Sequence, residues 1–240
     1  AYFLAYLIQG RGRLGLKVQR FELQKTMFAD ILKVGAVACL SPVQSVLAIL
    51  VFTGLLAQQG TEALAGYGIG QRLEFLLIPI AFGIGVAAVP MVGMAMGAGQ
   101  VDRARRVAWT AGGVSAFNLG LIGAVVTLAP DLWARMFTQD EVVLGFARQY
   151  LVTAGPAFAF FGLGLTLYFA SQGAGQVLGP VLAGTARLVL VAGVGYVLAQ
   201  NQGTAGHFYM LVAVAMVAYG VLTAAAIWFT PWGPKPREIP

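Results

Sequence analysis

Residues 75–101 read FLLIPIAFGIGVAAVPMVGMAMGAGQV, a run of 27 positions without a charged side chain. An α-helix rises about 1.5 Å per residue, so about 20 apolar residues cross the roughly 30 Å hydrocarbon core of a bilayer. The apolar residues are continuous and do not alternate with polar ones, which favours a helix over a strand of a membrane barrel. This stretch therefore predicts a membrane-spanning helix.

The composition of the whole chain also indicates a membrane protein. Of its 240 residues, 59% are hydrophobic and 10% are charged, and the mean hydropathy is +0.80. Soluble domains carry about 25% charged residues. The net charge is +6, but basic residues separated by long apolar runs form no solvated face for nucleic acid, so the predicted partner is the lipid bilayer. The single Cys39 excludes a disulfide framework and a cysteine-based zinc site.

Four further uncharged runs extend the pattern, at 34–61, 107–130, 150–186 and 188–234. The last two are too long for one span each, and breaker-rich segments divide them, SQGAGQ at 171–176 and QNQG at 200–203. We therefore predict an all-α integral membrane protein, a bundle of six transmembrane helices near 30–57, 63–98, 104–129, 142–170, 180–199 and 207–230. Glycine pairs four residues apart indicate helices packed closely on one another, at 66/70, 93/97 and 175/179.

The distribution of Lys and Arg predicts the orientation. With six spans, the two ends of the segment and the loops at 99–106 and 171–179 share one side, which carries eleven basic residues against three on the other. We expect the basic side, and both ends of the segment, to be cytoplasmic in a cell inner (plasma) membrane. Arg187 lies within the fifth span, nearer the basic side. We assign it to the 171–179 loop or to lipid headgroups and give it no transport role.

The chain begins AYFLAYLI and becomes basic from Arg11 onward. A signal peptide has the opposite order, with its positive charge before the apolar segment. We interpret residues 1–8 as the tail of a preceding transmembrane helix, and the sequence as a fragment of a longer membrane protein.

Several glycine-rich and basic segments follow one another in a regular order. They are AGYGIGQRLE at 65–74, MAMGAGQ at 94–100, RARR at 103–106, and SQGAGQ at 171–176 followed by Pro180 and Arg187. Together they resemble the C-terminal half of a transporter of the MATE (multidrug and toxic compound extrusion) family. The resemblance runs from about Lys25 to Phe229, nearly the whole chain.

The resemblance implies an antiporter of twelve helices in two lobes of six, with this chain as the second lobe, helices 7–12. Residues 9–28 then correspond to the cytoplasmic linker between lobes, 29–230 to the six-helix lobe and 231–240 to a cytoplasmic tail. The missing N-terminal lobe is an expected partner. The implied activity is export of cationic lipophilic drugs and toxic compounds in exchange for H⁺ or Na⁺, without a bound cofactor.

Glu74 is the candidate ion-binding residue, because it is the one carboxylate clearly inside a predicted span. An ionisable side chain at that depth is costly, and it is a functional candidate by default. Tyr67 and Gln71 share its helix face by spacings of i, i+4 and i, i+3. The alternative is that Glu74 bonds a neighbouring helix or reaches the outer surface.

Gln44 and Ser45 accompany Pro42 in the first predicted helix. They are further candidates for lining a cavity, and the alternative is that they form interhelical hydrogen bonds. Ser45 aligns with a position where NorM-type members of the family have an acid, and residues 158–163, FAFFGL, lack the acid those members have in the tenth helix. These departures disfavour a NorM-like sodium site here, and favour protons or a site in the absent lobe.

The chain contains no Walker A sequence, HExxH, GxSxG or CxxC. We therefore expect no enzyme activity, and ion-coupled transport explains the sequence better than an ATP-driven pump. Two other functions remain as alternatives. A lipid-linked saccharide flippase of the same superfamily requires a strongly basic cavity, and a non-transporting membrane scaffold predicts no water-filled cleft.

Overall fold

The computed structural model describes residues 25–233, and every regular element in that range is helical. The helices are α1 (Lys25–Leu56), α2 (Thr61–Gly97), α3 (Val101–Leu128), α4 (Asp131–Ala134), α5 (Glu141–Ala154), α6 (Phe158–Gly173), α7 (Leu178–Gln200) and α8 (Ala205–Phe229). Short 3₁₀ turns, Ala57–Gln59 and Gly155–Ala157, follow α1 and α5.

The internal contacts divide the chain into two units, 1–35 and 36–240. Of the first unit the structure describes only the beginning of α1, and all features below belong to the second unit. The predicted helix tail at 1–8 and most of the predicted segments 9–28 and 231–240 lie outside the described residues. Where the predicted linker overlaps them, its last four residues already belong to α1, which begins at Lys25.

Within the described range, six helices are long and apolar enough to cross a membrane. They are Ala38–Gln59, Thr61–Gly97, Val101–Leu128, Glu141–Gly173, Leu178–Gln200 and Ala205–Phe229. The prediction of an all-α bundle of six spanning helices is confirmed. The fourth span joins α5 and α6 through a 3₁₀ turn that contains Pro156, whose missing N–H cannot continue the α-helical hydrogen bonds.

The fourth span is the centre of the bundle, since 61% of an 18-residue stretch within it is buried, more than in the other five spans. Its second half, α6, packs against α2, α3 and α8, and its first half, α5, packs against α2 and α8. Tyr150, Leu151 and Phe158 are fully buried there. Lipid removes the hydrophobic drive for helix association, so close packing and interhelical hydrogen bonds must hold such a bundle together.

Gly66 and Gly70 bring α2 close to α5. A Cβ on Gly66 would lie 2.5 Å from the Cβ of Phe146, and a Cβ on Gly70 would overlap the ring of Tyr150. The predicted close packing at this glycine pair is therefore confirmed. Because Glu74 follows Gly70 by one helical turn, the same close approach places the Tyr150 ring beside the carboxylate.

The tetrapeptide GAGQ occurs twice, and it ends α2 and α6 in the same way. Gly99 and Gly175 have φ angles of +72° and +68°, left-handed values that glycine adopts without steric cost. The N–H of Gln100 bonds to the carbonyl five residues earlier at 2.8 Å, as in a Schellman motif. Gly97 has open space at its Cβ position, whereas a Cβ on Gly93 would lie 3.5 Å from the carbonyl oxygen of Gly173 on α6. Of this predicted pair, only Gly93 therefore lies against another helix.

Arg105 joins α3 to the end of α8. Its Nη2 donates to the carbonyls of Ile227 and Trp228, at 2.8 and 2.7 Å. The last carbonyls of a helix have no intrahelical donor, and a cation there is also favoured by the helix dipole. Arg105 is one of the basic residues that predict the membrane orientation, and it also caps α8.

An ion-pair cluster holds the connection between α3 and α5. Arg148 donates from Nε to Oδ1 of Asp131 at 2.5 Å and from Nη1 to Oε2 of Glu141 at 3.2 Å. Arg135 bonds the same two carboxylates at 3.3 and 3.2 Å. Hydrogen bonds from Arg148 and then Arg135 hold the pKa of the Asp131 carboxyl below its ordinary value.

Candidate functional site

Four helices surround a small cavity inside the bundle. It is lined by Ala48, Ile49 and Phe52 of α1, Tyr67 and Glu74 of α2, Arg187 and Val191 of α7, and Val212 and Ala215 of α8. Its volume is about 20 Å³, room for about one water molecule. The lining is apolar except for one phenol, one carboxylate and one guanidinium.

Glu74 is half-buried on α2. The hydroxyl of Tyr150, a fully buried residue of α5, donates a hydrogen bond to Oε1 of this carboxylate. Glu74 can be identified from the sequence but its donor cannot, because the two residues lie 76 positions apart. The available signal was the small residue Gly70, since a close helix approach one turn away brings a neighbouring side chain within reach.

Three tyrosines form a frame around Glu74. The rings of Tyr67 and Tyr150 meet edge to face with centroids 5.2 Å apart, and those of Tyr150 and Tyr209 do so at 5.3 Å. Tyr209 is anchored in turn, because its hydroxyl donates to the Ala63 carbonyl at 2.9 Å. Edge-to-face contacts favour particular ring orientations, so the frame holds the Tyr150 hydroxyl at the carboxylate.

Arg187 lies where the sequence analysis did not place it. Its side chain reaches the cavity of Glu74, with Cζ 5.7 Å from the ring centroid of Phe161 and 5.8 Å from that of Tyr219. The sequence analysis assigns this side chain to the 171–179 loop or to headgroups and gives it no transport role. The predicted location of the side chain is wrong. The missed signal was its isolation, since it is the only charged residue in 150–234.

The other predicted site residues do not line this cavity. Gln71 is half-buried on the same helix as Glu74. Gln44 donates from Nε2 to Oγ1 of Thr185 on α7 at 2.7 Å, the interhelical hydrogen bond that was its alternative role. Ser45 is exposed on α1. Binding of an ion or substrate by these three side chains stays a prediction.

The lining of the cavity offers few side-chain oxygens to a metal ion. Its side-chain oxygens are the carboxylate of Glu74 and the hydroxyl of Tyr67, whereas hard metal cations take about six oxygen ligands. Across residues 25–233, no group of three or more His, Cys, Asp or Glu side chains could hold a metal ion. A water molecule placed in the cavity would have polar partners in the carboxylate, the phenol and the guanidinium.

The MatE family profile matches residues 37–197, two thirds of the chain. A probable multidrug resistance protein NorM of Thermotoga maritima is 28% identical over 170 residues, covering 71% of this chain and 36% of the relative. A probable NorM of Pasteurella multocida is 27% identical over 159 residues, with coverages of 63% and 33%. The mouse multidrug and toxin extrusion protein 2 is 35% identical over 107 residues, with coverages of 43% and 18%.

Solved structures share the fold. A MOP superfamily transporter from Pyrococcus furiosus superposes with a TM-score of 0.82 at 18% identity, covering 95% of this chain and 52% of that one. An outward-facing multidrug resistance MATE family transporter gives a TM-score of 0.82 at 19% identity, with coverages of 95% and 51%.

This chain spans about a third or less of the length of the curated relatives it matches, and about half of the solved chains. These relatives are named as multidrug resistance or extrusion proteins and as transporters, not as enzymes. The family profile covers most of the six apolar helices. The chain therefore belongs to the MatE (MATE) family of transporters and is a multi-pass membrane protein.

Proposed function

We propose that this chain is part of a secondary antiporter that exports cationic lipophilic compounds in exchange for protons, with Glu74 as a proton-exchanging residue. The observation that carries the proposal is a carboxylate inside a membrane bundle, facing a water-sized cavity and held by the Tyr150 hydroxyl. An ionisable group in that setting is costly, and it is therefore a functional candidate by default. The names of the relatives, multidrug resistance and multidrug and toxin extrusion, support export of such compounds.

Protons are the better-supported coupling ion. Glu74 and Tyr67 give the cavity two oxygen-bearing side chains, too few for the oxygen shell of a hard cation. A proton needs only the carboxylate and one water molecule. Coupling to sodium is the alternative, and the experiment below tests it with a sodium gradient.

The exported compound binds elsewhere in the transporter. Pockets for drug-sized ligands have volumes of about 300–1,000 Å³, and the cavity beside Glu74 holds about 20 Å³. Glu74 therefore acts on transport through its charge and not by enclosing the drug. The passage for the drug is formed with the N-terminal lobe, which we propose as the partner of this chain.

We also propose that the basic side of the bundle faces the cytoplasm of a cell inner (plasma) membrane, so that both ends of this segment are cytoplasmic. The support is the excess of Lys and Arg on that side. A lipid-linked saccharide flippase is less well supported. The cavity has one basic side chain, Arg187, and it is accompanied by an acid.

The test is ion-driven export of ethidium, a lipophilic cation, by the full-length transporter in proteoliposomes. Glu74→Gln keeps the size of the side chain and removes its exchangeable charge, so we expect transport driven by a pH gradient to fall to that of empty vesicles. Glu62→Gln is the matched control, because Glu62 is an exposed carboxylate in the first turn of the same helix. This control should transport as the wild type does.

Two outcomes would contradict the proposal. Wild-type export by Glu74→Gln would remove Glu74 from the mechanism, and export driven by a sodium gradient but not by a pH gradient would replace the proton. A scaffold without transport activity would show no gradient-dependent flux in any variant.

A further inference from the structure

The positive charge of Arg187 is incompletely satisfied by its surroundings. Its Nε is buried and has no hydrogen-bond partner within the described part of the chain. The guanidinium lies near the rings of Phe161 on α6 and Tyr219 on α8. Aromatic faces attract a cation but do not accept its N–H groups as a carboxylate does. The side chain is therefore held in place without being neutralised.

Glu74 is in the complementary position. It lines the same cavity from α2 as Arg187 does from α7, and its hydrogen bond from Tyr150 leaves its charge unbalanced. The ion pairs within 4.0 Å that the described residues form are those of the cluster around Asp131. Glu74 and Arg187 are therefore near each other without closing a salt bridge. Unlike charges in a low-dielectric interior still attract strongly, and either one alone is costly.

We propose that Arg187 is the internal counter-cation of Glu74. As a positioning residue, it balances the charge of the carboxylate after a coupling cation leaves. It then competes with the next coupling cation for the carboxylate. This inference rests on the proposed function, because it requires that Glu74 exchange a cation. The proton passes between the carboxyl oxygen and a water molecule, while the guanidinium stays charged throughout, since arginine keeps its proton in proteins.

The groups around the pair support this assignment. The titratable or charged side chains that face Glu74 and Arg187 from the surrounding helices are Tyr67 on α2, Tyr150 on α5, and Tyr209 and Tyr219 on α8. The residues that α1 contributes to the lining do not titrate. Phenols are neutral at physiological pH. Among the described residues that line the cavity, Arg187 is thus the one positive charge that can balance the carboxylate.

The experiment compares Arg187→Gln, Arg187→Lys and Arg72→Gln in the full-length transporter, with ethidium export driven by a pH gradient. Arg72 is the matched control, because it is two residues from Glu74 but its guanidinium lies over the Phe137 ring at 4.9 Å, outside the cavity. For Arg187→Gln we expect a fall in the maximal rate of about tenfold or more, with little change in the half-saturating ethidium concentration.

The pH profile separates a counter-cation from a merely structural residue. Loss of a neighbouring positive charge favours the neutral form of a carboxyl, so the rate profile of Arg187→Gln should move to higher pH by about one unit or more. Arg187→Lys keeps the charge and should keep the wild-type profile, as should Arg72→Gln. A wild-type rate and profile in Arg187→Gln would overturn the inference.

Failure of this inference is distinguishable from failure of the proposed function. An inactive Glu74→Gln beside a wild-type Arg187→Gln refutes only the counter-cation, whereas a fully active Glu74→Gln refutes the proposed function itself. If Arg187→Gln yields no folded protein, folded Arg187→Lys takes its place. Retained proton-driven export in that variant supports the counter-cation, and loss of export overturns it.

Discussion

Tyr168 on α6 donates a hydrogen bond from its hydroxyl to the backbone carbonyl of Ala38 on α1, at 2.8 Å. In a regular α-helix this carbonyl accepts from the N–H four residues later. That residue is Pro42, which has no N–H. Tyr168 therefore supplies the donor that Pro42 lacks, and the carbonyl freed by the proline ties α1 to the central span.

Tyr168→Phe should destabilise the bundle, because it leaves the carbonyl of Ala38 without a donor. We expect the free energy of unfolding to fall by about 1–2 kcal/mol, measured by denaturant titration in detergent. The control is the same substitution in a Pro42→Ala background, where an N–H returns to bond the carbonyl within α1. There Tyr168→Phe should cost clearly less, and an equal cost in both backgrounds would show that the carbonyl is not the relevant partner.

Gly70→Ala should disturb both packing and transport. Its Cβ overlaps the Tyr150 ring, so the ring must move, and the hydroxyl on Glu74 moves with it. We expect a loss of about 1–3 kcal/mol of stability from overpacking, together with reduced proton-driven ethidium export. Gly68→Ala is the matched control on the same helix, since the space at its Cβ is open, and it should be neutral or stabilising by up to about 1 kcal/mol. Similar effects of the two substitutions would contradict the role of close approach.

Arg105→Gln should loosen the end of α8. It removes the donor that caps the carbonyls of Ile227 and Trp228, and hydrogen bonds from charged donors contribute about 1.5–3 kcal/mol. We expect a lower melting temperature and faster amide exchange in the last turns of α8. Arg103→Gln removes an equal charge from the same end of α3 but only an exposed bond to Gln100. Its effect should be small, and a comparable loss in this variant would point to the positive charge at the start of α3 instead.

The ion-pair cluster predicts acid sensitivity at the connection between α3 and α5. Because hydrogen bonds from Arg148 lower the native pKa of Asp131, the contribution of this carboxylate is complete above its unfolded pKa of about 3.9. That contribution is lost as the pH falls through the lower native value. The protection of the α4 amides, which is their exchange rate compared with the intrinsic rate at the same pH, should therefore fall on acidification in the wild type. Asp131→Asn should show lower protection at neutral pH and lose this acid dependence, and Asp102→Asn should behave as the wild type does.

The number and limits of the spans could be predicted from the sequence because burial in lipid acts on each helix separately. An uncharged run such as 75–101 satisfies its own backbone hydrogen bonds and needs no partner to be stable in a bilayer. The breakers at 171–176 act equally locally, since a glycine in the left-handed region, Gly175, ends α6. The glycine pair 66/70 was correctly read as a contact, but its partner helix could not be identified from spacing alone.

The candidate site was only partly predictable for the same reason. The depth of Glu74 follows from its position along one helix, whereas the neighbours of its side chain depend on how α2 is rotated against α5, α7 and α8. Tyr150 and Arg187 come from other helices, and a hydropathy pattern does not specify which residues of two helices meet. Gln44 illustrates the same point, because the sequence left two roles open for it, lining a cavity or forming an interhelical hydrogen bond, and packing gave it Thr185 as a partner.

The sequence by itself determined that six apolar helices cross a bilayer, where they end, and that one carboxylate lies within them, because these properties depend on the solvent around each segment. Only the tertiary structure determined that Glu74 faces a cavity the size of one water molecule, with Tyr150 as its donor and Arg187 as its charged neighbour. Those relationships depend on how separate helices are rotated and how closely they approach. Small residues such as Gly70 permit the close approach, but the sequence of one helix does not specify which residues of another helix it meets.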